Sequence, residues 1–413
     1  MQQWARFAIL GAMFVTAYLL ILAWQKDYGH AAPAPQQQAA AVTAHEVSAD
    51  LPNAQNATAA SDLPQANVTA SQTTEHNTSV SQQLISVQTD LYHLWINPKG
   101  GDIVRIELLS HDESKDSDKP FVMLESDAKR TYVAQSGLIG LNGPDSSRSG
   151  RPMYDVEKTA YTLADAKSVA AKDGKTHQVL TVPLVFKTPE GVEVIKSFTF
   201  TQGDYPITVK HQVVNRSQQN WQGQMFGQLK RDNSDDPGKS SQGIFTLGTY
   251  LGGAWGTPEE HYNKLKFANF NDEKLNVEAK GGWVAMVQHY FVSAWIPGNL
   301  KLTQADGQPY TAKLESRQSA DGMNIMGFTS PVINVPAGTS MEVDAQLYSG
   351  PKIQSELKDL AAGLNQTVDY GWLWPIAKLL FLGLQFFHNL VGNWGWSIIL
   401  LTILVKLILW PLS

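Results

Sequence analysis

The 413-residue sequence contains no cysteine. Disulfide frameworks, thiolate zinc sites and cysteine nucleophiles are therefore excluded together. Positive charge is also in short supply, with 32 Lys and Arg against 38 Asp and Glu, and none between Lys26 and Lys99. Phosphate contacts need clustered Lys and Arg, so nucleic acid is not expected as a main partner at a net charge of −6. Convergent acid–base chemistry is missing as well. His93, His111, His177, His211, His261 and His289 are dispersed, with no HExxH and no close His pair. The glycines of LGTYLGGAWG lack the strand–GxGxxG–helix setting of a nucleotide site. No catalytic set, no metal and no cofactor is expected. What the chain does have is an uneven spread of apolar residues, with a dense block at each end.

The first block, Phe7 to Trp24, is an uncharged run. As a helix it would be about 27 Å long, close to the roughly 30 Å of bilayer hydrocarbon. Arg6 precedes it, while Lys26 and Asp27 cancel after it, which places the N-terminus in the cytoplasm. A cleaved signal peptide ending at Ala32-Pro33-Ala34 is the competing reading, and Pro33 makes that site poor. Residues 1–28 are thus expected to hold the cytoplasmic N-terminus and a first transmembrane helix. Residues 29–83, rich in Ala, Gln, Thr, Ser and Asn, bury too little apolar surface to order and are expected to form a flexible external tether. The sequons at Asn56, Asn67 and Asn77 are chance matches in such a composition.

From Leu84 to Gly350 the pattern alternates and turns β-branched, as in VEVIKSFTFT and ITVKHQVVNRS. Period-two runs separated by Gly, Asp, Asn and Pro indicate antiparallel strands and a large two-sheet sandwich. Pro189-Glu190-Gly191 and Gln202-Gly203-Asp204 read as turns. Ile353, Leu357, Leu360, Ala361 and Leu364 then follow at helical spacing, so one amphipathic helix should close the domain at 84–366. Asp232, Asp235 and Asp236 could be read as calcium ligands, but the spacing is not that of an EF-hand and a solvated loop is the expectation.

The second block runs from Trp372 to Pro411. About 40 helical residues would reach roughly 60 Å, so one straight span is excluded and Gly392-Asn393 is the natural break. Before it, Lys378, Gln385 and Asn389 fall near one narrow face and Trp372 and Trp374 stand at the start. This favours a helix lying along the outer membrane interface within 367–393, the alternative being a helix packed into the sandwich. After the break, 394–413 should cross inward, with Trp394 and Trp396 at the headgroups. Lys406 then lies about 15 Å deep, where a charge costs roughly 2.5–3.5 kcal/mol on insertion scales. Thr402 is one turn earlier on the same face and Ser413 seven residues later. Such a polar stripe should face protein or a water-filled cavity, with snorkelling of Lys406 to the headgroups as the bland alternative.

KGGWVAMVQHYFVSAWIP (280–297), TVDYGWLW (367–374) and above all VGNWGWSIILLTILVKLILWPLS (391–413), with GQLK (227–230) and QSGLIG (135–140), resemble the Gram-negative YidC branch of the YidC/Oxa family of membrane protein insertases. The resemblance implies a membrane protein with a mainly-β periplasmic domain, a β-supersandwich like galactose mutarotase, followed by an interfacial helix and the first helix of the insertase core. In that family a basic residue, usually Arg, sits in a hydrophilic groove, and Lys406 matches it, with Thr402 beside it. Lysine keeps the charge but loses the bidentate fork. The implied partners are nascent inner-membrane proteins, Sec translocon subunits and the lipid bilayer. No bond is made, so no enzyme is expected. The family also has a cytoplasmic hairpin and four further core spans not found in these 413 residues, so the sequence reads as an amino-terminal part. Two rivals stay open: a membrane-anchored carbohydrate-binding or mutarotase-like protein, and an adaptor that only docks translocon subunits.

Overall fold

The computed structural model describes residues 83–114, 117–147, 150–170, 176–237, 250–298, 311–319, 321–368 and 374–410. Every described residue belongs to one compact unit. The expected first span, the sequons and all but the last residue of the expected tether lie outside the described residues.

The alternating segments form strands because each places branched or aromatic side chains on one face and polar ones on the other. Val192–Thr201 and Ile207–Asn215 show this as strict alternation of buried and half-buried positions. Among the described residues the strands make two large sheets. The first, of eleven strands, runs in space through Asn276–Ala279, Ala312–Gln318, Asn324–Thr329, Trp221–Arg231, Thr131–Ile139, Pro120–Ser126, Asp102–Asp112, Tyr92–Asn97, Ile85–Gln88 and Ala160–Thr162. Ile333–Val335 pairs off that path with Trp221–Arg231. The second, of nine, runs through Asn263–Leu265, Gly252–Gly256, Trp283–Val287, Phe291–Pro297, Ser340–Pro351, Ile207–Asn215, Val192–Thr201, Thr176–Lys187 and Lys167–Ala170. Pairing is antiparallel except between Ile85–Gln88 and Ala160–Thr162. The inward faces of both sheets share one contiguous apolar core. The domain is a mainly-β supersandwich.

The turns at Pro189–Gly191 and Gln202–Asp204 each join neighbouring strands of the second sheet. Gly191 and Gly203 take positive φ there, which a side chain would disfavour. Pro183 lies within Thr176–Lys187, which pairs with Lys167–Ala170 only over its first four residues, so the missing N–H falls where that edge is open.

The closing helix is shorter than the spacing suggests. Helix α1 spans Gln354–Leu360, and Ala361 is already extended. Gly363 is left-handed at φ 81°, and the chain continues as a 3₁₀ turn, Leu364–Thr367. Position 363 has to be glycine, because a Cβ there would sit 1.9 Å from the His261 carbonyl oxygen. Leu357 and Leu364 are both buried, so the apolar set is satisfied by two short elements rather than one helix. Two further helices follow, α2 (Trp374–Val391) and α3 (Trp394–Leu409).

Candidate functional site

The sandwich holds a buried charge centre built from distant segments. Arg151 donates from Nε to Asp145 at 2.6 Å, from Nη1 to Asp102 at 2.7 Å, and from Nη2 to the carbonyls of Gly100 and Ser136 at 3.0 and 2.8 Å. Lys196 Nζ, fully buried, donates to the same two carbonyls at 2.9 and 2.8 Å. Asp145 fits only because its neighbour is glycine: a Cβ at Gly137 would come within 2.2 Å of the carboxylate. Burial pushes the Lys196 ammonium down to about 7, with the Asp102 carboxylate opposing and Arg151 assisting. Burial likewise raises Asp145, offset by Arg151 and Lys196. For Arg151 burial is outweighed by Asp102 and Asp145, which hold the guanidinium above its ordinary value. His211, directly across the sheet from Lys196, is fully buried and its ring is pushed well below the usual histidine range by burial and by Lys196.

This constellation runs on into the first sheet, where Gln135 donates to Asp102 at 2.9 Å and accepts from Gln228 at 2.9 Å. Both carboxylates serve Arg151, both cations serve backbone carbonyls, and neither ring nitrogen of His211 has a hydrogen-bond partner or an opening to solvent. Its role is to join the two sheets, because Lys196 reaches from the second sheet to carbonyls of the first. The acidic loop is also structural. Asp232 accepts from the Thr131 and Ser234 amides at 2.7 and 3.0 Å, and Asp236 accepts from Arg231 at 2.7 Å. Arg231 is fully buried between the rings of Tyr132 and Phe267. Among the described residues no group of three His, Asp or Glu is placed to hold a metal.

The C-terminal helices are different in kind. Ile376, Leu379, Leu382, Phe386 and Leu390 of α2 are exposed, as are Ile398, Ile399, Ile403, Leu407 and Ile408 of α3. Large apolar side chains exposed on both helices mark contact with a membrane or with another protein. Lys406 is the one charged residue of α3; it is exposed and has no ion-pair partner among the described residues. Thr402 is exposed one turn earlier on the same face, its hydroxyl donating to the Ile398 carbonyl at 2.7 Å. Trp394 and Trp396 are both exposed at the start of α3. Trp372 lies outside the described residues, as do the side chains of Trp374 and Lys378. Among the described residues no helix is both long and apolar enough to cross a membrane, α3 being 16 residues.

The joint between the helices is built by two residues. Gly392 is left-handed at φ 65°, and its N–H bonds the His388 carbonyl at 2.7 Å, closing α2 with an αL cap. Asn393 caps α3, its Oδ1 accepting from the amides of Gly395 and Trp396 at 2.8 and 3.3 Å. Asn393→Ala should cost about 1 kcal/mol of local stability. Hydrogen exchange would report it as roughly fivefold faster exchange at Gly395 and Trp396.

Residues 84–382 match the family model described as the YidC periplasmic domain. The chain is 43% identical over 409 residues to a membrane protein insertase YidC of Pseudomonas putida strain GB-1, covering 99% of this chain and 69% of that protein. It is 44% identical over 409 residues to the corresponding protein of Stutzerimonas stutzeri strain A1501, with the same shares covered. The chain belongs to the YidC family. Among solved structures, a galactose-mutarotase-related enzyme from Lactobacillus acidophilus aligns with a TM-score of 0.41 at 10% identity, covering 64% of this chain and 97% of that one. Membership in the YidC family places the chain at the bacterial inner membrane with its β domain in the periplasm, and implies membrane proteins and membrane lipids as partners.

Of the residues expected at a site, the structure brings Thr402 and Lys406 together on one exposed face. The buried centre went unread in the sequence, although a signal for it exists. Lys196 shares its parity with Val192, Val194, Phe198 and Phe200, and His211 with Ile207, Val209 and Val213, all of which point inward.

Proposed function

We propose that this chain supplies the periplasmic domain and the first groove helix of a membrane protein insertase, which assists insertion and folding of inner-membrane proteins through the face bearing Lys406 and Thr402. The observation that carries this reading is a single cation on an otherwise apolar, exposed helix, with a hydroxyl one turn away. A lysine has no part in anchoring at that depth, and it is retained only where hydration or a counter-charge meets it. In a groove open to water, Lys406 attracts acidic groups of an incoming polar segment where the dielectric is low. The segment stays hydrated while its neighbouring apolar stretch moves into lipid, and hydrophobic transfer drives the step. No bond forms or breaks. The family favours this reading over an anchored sugar-binding protein.

The finer topology belongs to the same proposal: a cytoplasmic N-terminus, a first span at 7–24, a tether to residue 83, and α3 entering the membrane with Trp394 and Trp396 at the outer headgroups. Work alongside the Sec translocon belongs to it as well, with the periplasmic domain as the docking body. The test is insertion of an acidic-tailed, single-span substrate, scored by protease protection with the intact cellular protein. Lys406→Arg should retain insertion, Lys406→Ala should lower it, and Lys406→Glu should lower it on the order of tenfold. Glu supporting insertion as well as Lys does would refute charge attraction.

A further inference from the structure

The Tyr92 hydroxyl donates to the carbonyls of Tyr205 and Ser349 at 2.7 and 2.8 Å, and Phe291 pairs with Pro351. These contacts gather the turns at 89–91, 202–206 and 288–290 at one end of the sandwich. The chain enters and leaves at the opposite end. Ile85 pairs with Ile96, near the far end of the strand that Tyr92 begins. On the way out, the Ala362 carbonyl accepts from Trp283 Nε1 at 2.9 Å, and Trp283 begins the strand that runs to Val287 beside the 288–290 turn. The 188–191 turn lies at this end too, since the strand Val192–Thr201 separates it from the 202–206 turn. From the buried Thr367 to Trp374 of α2 the chain reaches at most about 25 Å.

This end carries exposed apolar side chains. Leu141 is 80% and Met153 48% exposed, and both line a hollow of about 410 Å³ walled by Pro144, Pro152, Phe186 and Pro189. Lys99 bridges to Met153, which sets the hollow beside the entry at Ile85, where Leu84 is exposed as well. The charges around it balance, Lys99, Lys187 and Arg216 against Asp155, Glu190 and Glu193. Apolar contact rather than charge must therefore carry what binds there. A bilayer is the apolar partner that the short link from Thr367 to α2 keeps within reach. We propose that this end is a membrane-docking face, on which Leu141 and Met153 enter the outer leaflet and hold the sandwich against the bilayer. This rests on the insertase topology, with α2 along the outer interface and α3 entering at Trp394.

Because the chain has no cysteine, one nitrobenzoxadiazole label can be placed in the full chain at Leu141→Cys, Met153→Cys, Tyr290→Cys or Leu382→Cys, all exposed positions. The chain is held in nanodiscs of phosphatidylethanolamine and phosphatidylglycerol, some lipids carrying a nitroxide on the acyl chain. Quenching should be strong at 141 and 153, seated ~5–10 Å into the headgroup and acyl boundary, and weak at 290 on the opposite end. Omitting the phosphatidylglycerol should leave it unchanged, because the charges balance. A label at Glu190→Cys, on the rim of the hollow, reports docking with the apolar pair altered. Leu141→Glu with Met153→Glu should lower the docked population at least about tenfold, the weight of one buried apolar side chain. Leu141→Phe with Met153→Leu should keep it, and the urea midpoint should hold in both. Quenching at 141 and 153 no stronger than at 290, with 382 quenched, overturns the docking face and leaves the topology standing. An unquenched label at 382 overturns the topology and the docking face together. Shielding at 141 that appears only in native inner-membrane vesicles makes the partner a protein and overturns the lipid assignment.

Discussion

Arg151→Leu is expected to lower the folding stability of the periplasmic domain by about 3–5 kcal/mol, the range for breaking a buried ion pair by removing one partner. The guanidinium makes four hydrogen bonds, two to carboxylates and two to backbone carbonyls, and lies 5.6 Å from the centre of the Phe226 ring. Without it Asp145, fully buried, and Asp102, nearly so, keep only Lys196 as a nearby countercharge. Lysine at the same position should recover part of the loss but not all, since a point charge cannot serve both carboxylates and both carbonyls in one plane. Urea unfolding followed by tryptophan emission gives the number. A midpoint shift worth less than about 1 kcal/mol would mean that water replaces the guanidinium and that the centre is not sealed.

Stability of the same domain should rise between pH 7 and about 8.5. Lys196 titrates at about 7 in the folded chain against an ordinary value near 10.4 when unfolded. Between those values the unfolded chain holds a proton that the folded chain has released, so raising the pH favours folding, by up to about 1.4 kcal/mol per unit. The contribution is fully present above the unfolded value and is lost as pH falls through 7. At the alkaline end Tyr132, raised to about 12 by burial, works the other way, as do Tyr92, Tyr154, Tyr161, Tyr205, Tyr250 and Tyr348, all raised by burial, because their phenols ionise more readily in the unfolded chain. The window below about pH 8.5 precedes that loss, and the difference between wild type and Lys196→Met isolates the lysine. Lys196→Met should flatten the profile there while Arg151 continues to satisfy the Gly100 and Ser136 carbonyls. A wild-type profile that matches Lys196→Met from pH 7 to about 8.5 would show that Asp102 and Asp145 keep the folded amine charged.

Strands, turns and helix ends were open to reading from local chemistry. Val192–Thr201 and Ile207–Asn215 alternate residue by residue, Gly191 and Gly203 supply positive φ where the chain reverses, and Gly392-Asn393 end one helix and cap the next. Each of these depends on a residue and its near neighbours. The need for glycine at 363 was not open in the same way, because the His261 carbonyl that leaves no room for a Cβ there is far away in sequence.

By itself, then, the sequence determined a period-two domain between apolar ends, the break at Gly392-Asn393, and a lone cation on the last helix, since periodicity, caps and charge are written in adjacent residues. Only the tertiary structure decided that Asp102, Asp145, Arg151 and Lys196 meet between the two sheets, and that the His388 ring stacks on Trp394. Charge pairing and ring stacking arise from groups that meet only when the chain folds, and local pattern carries no record of such meetings.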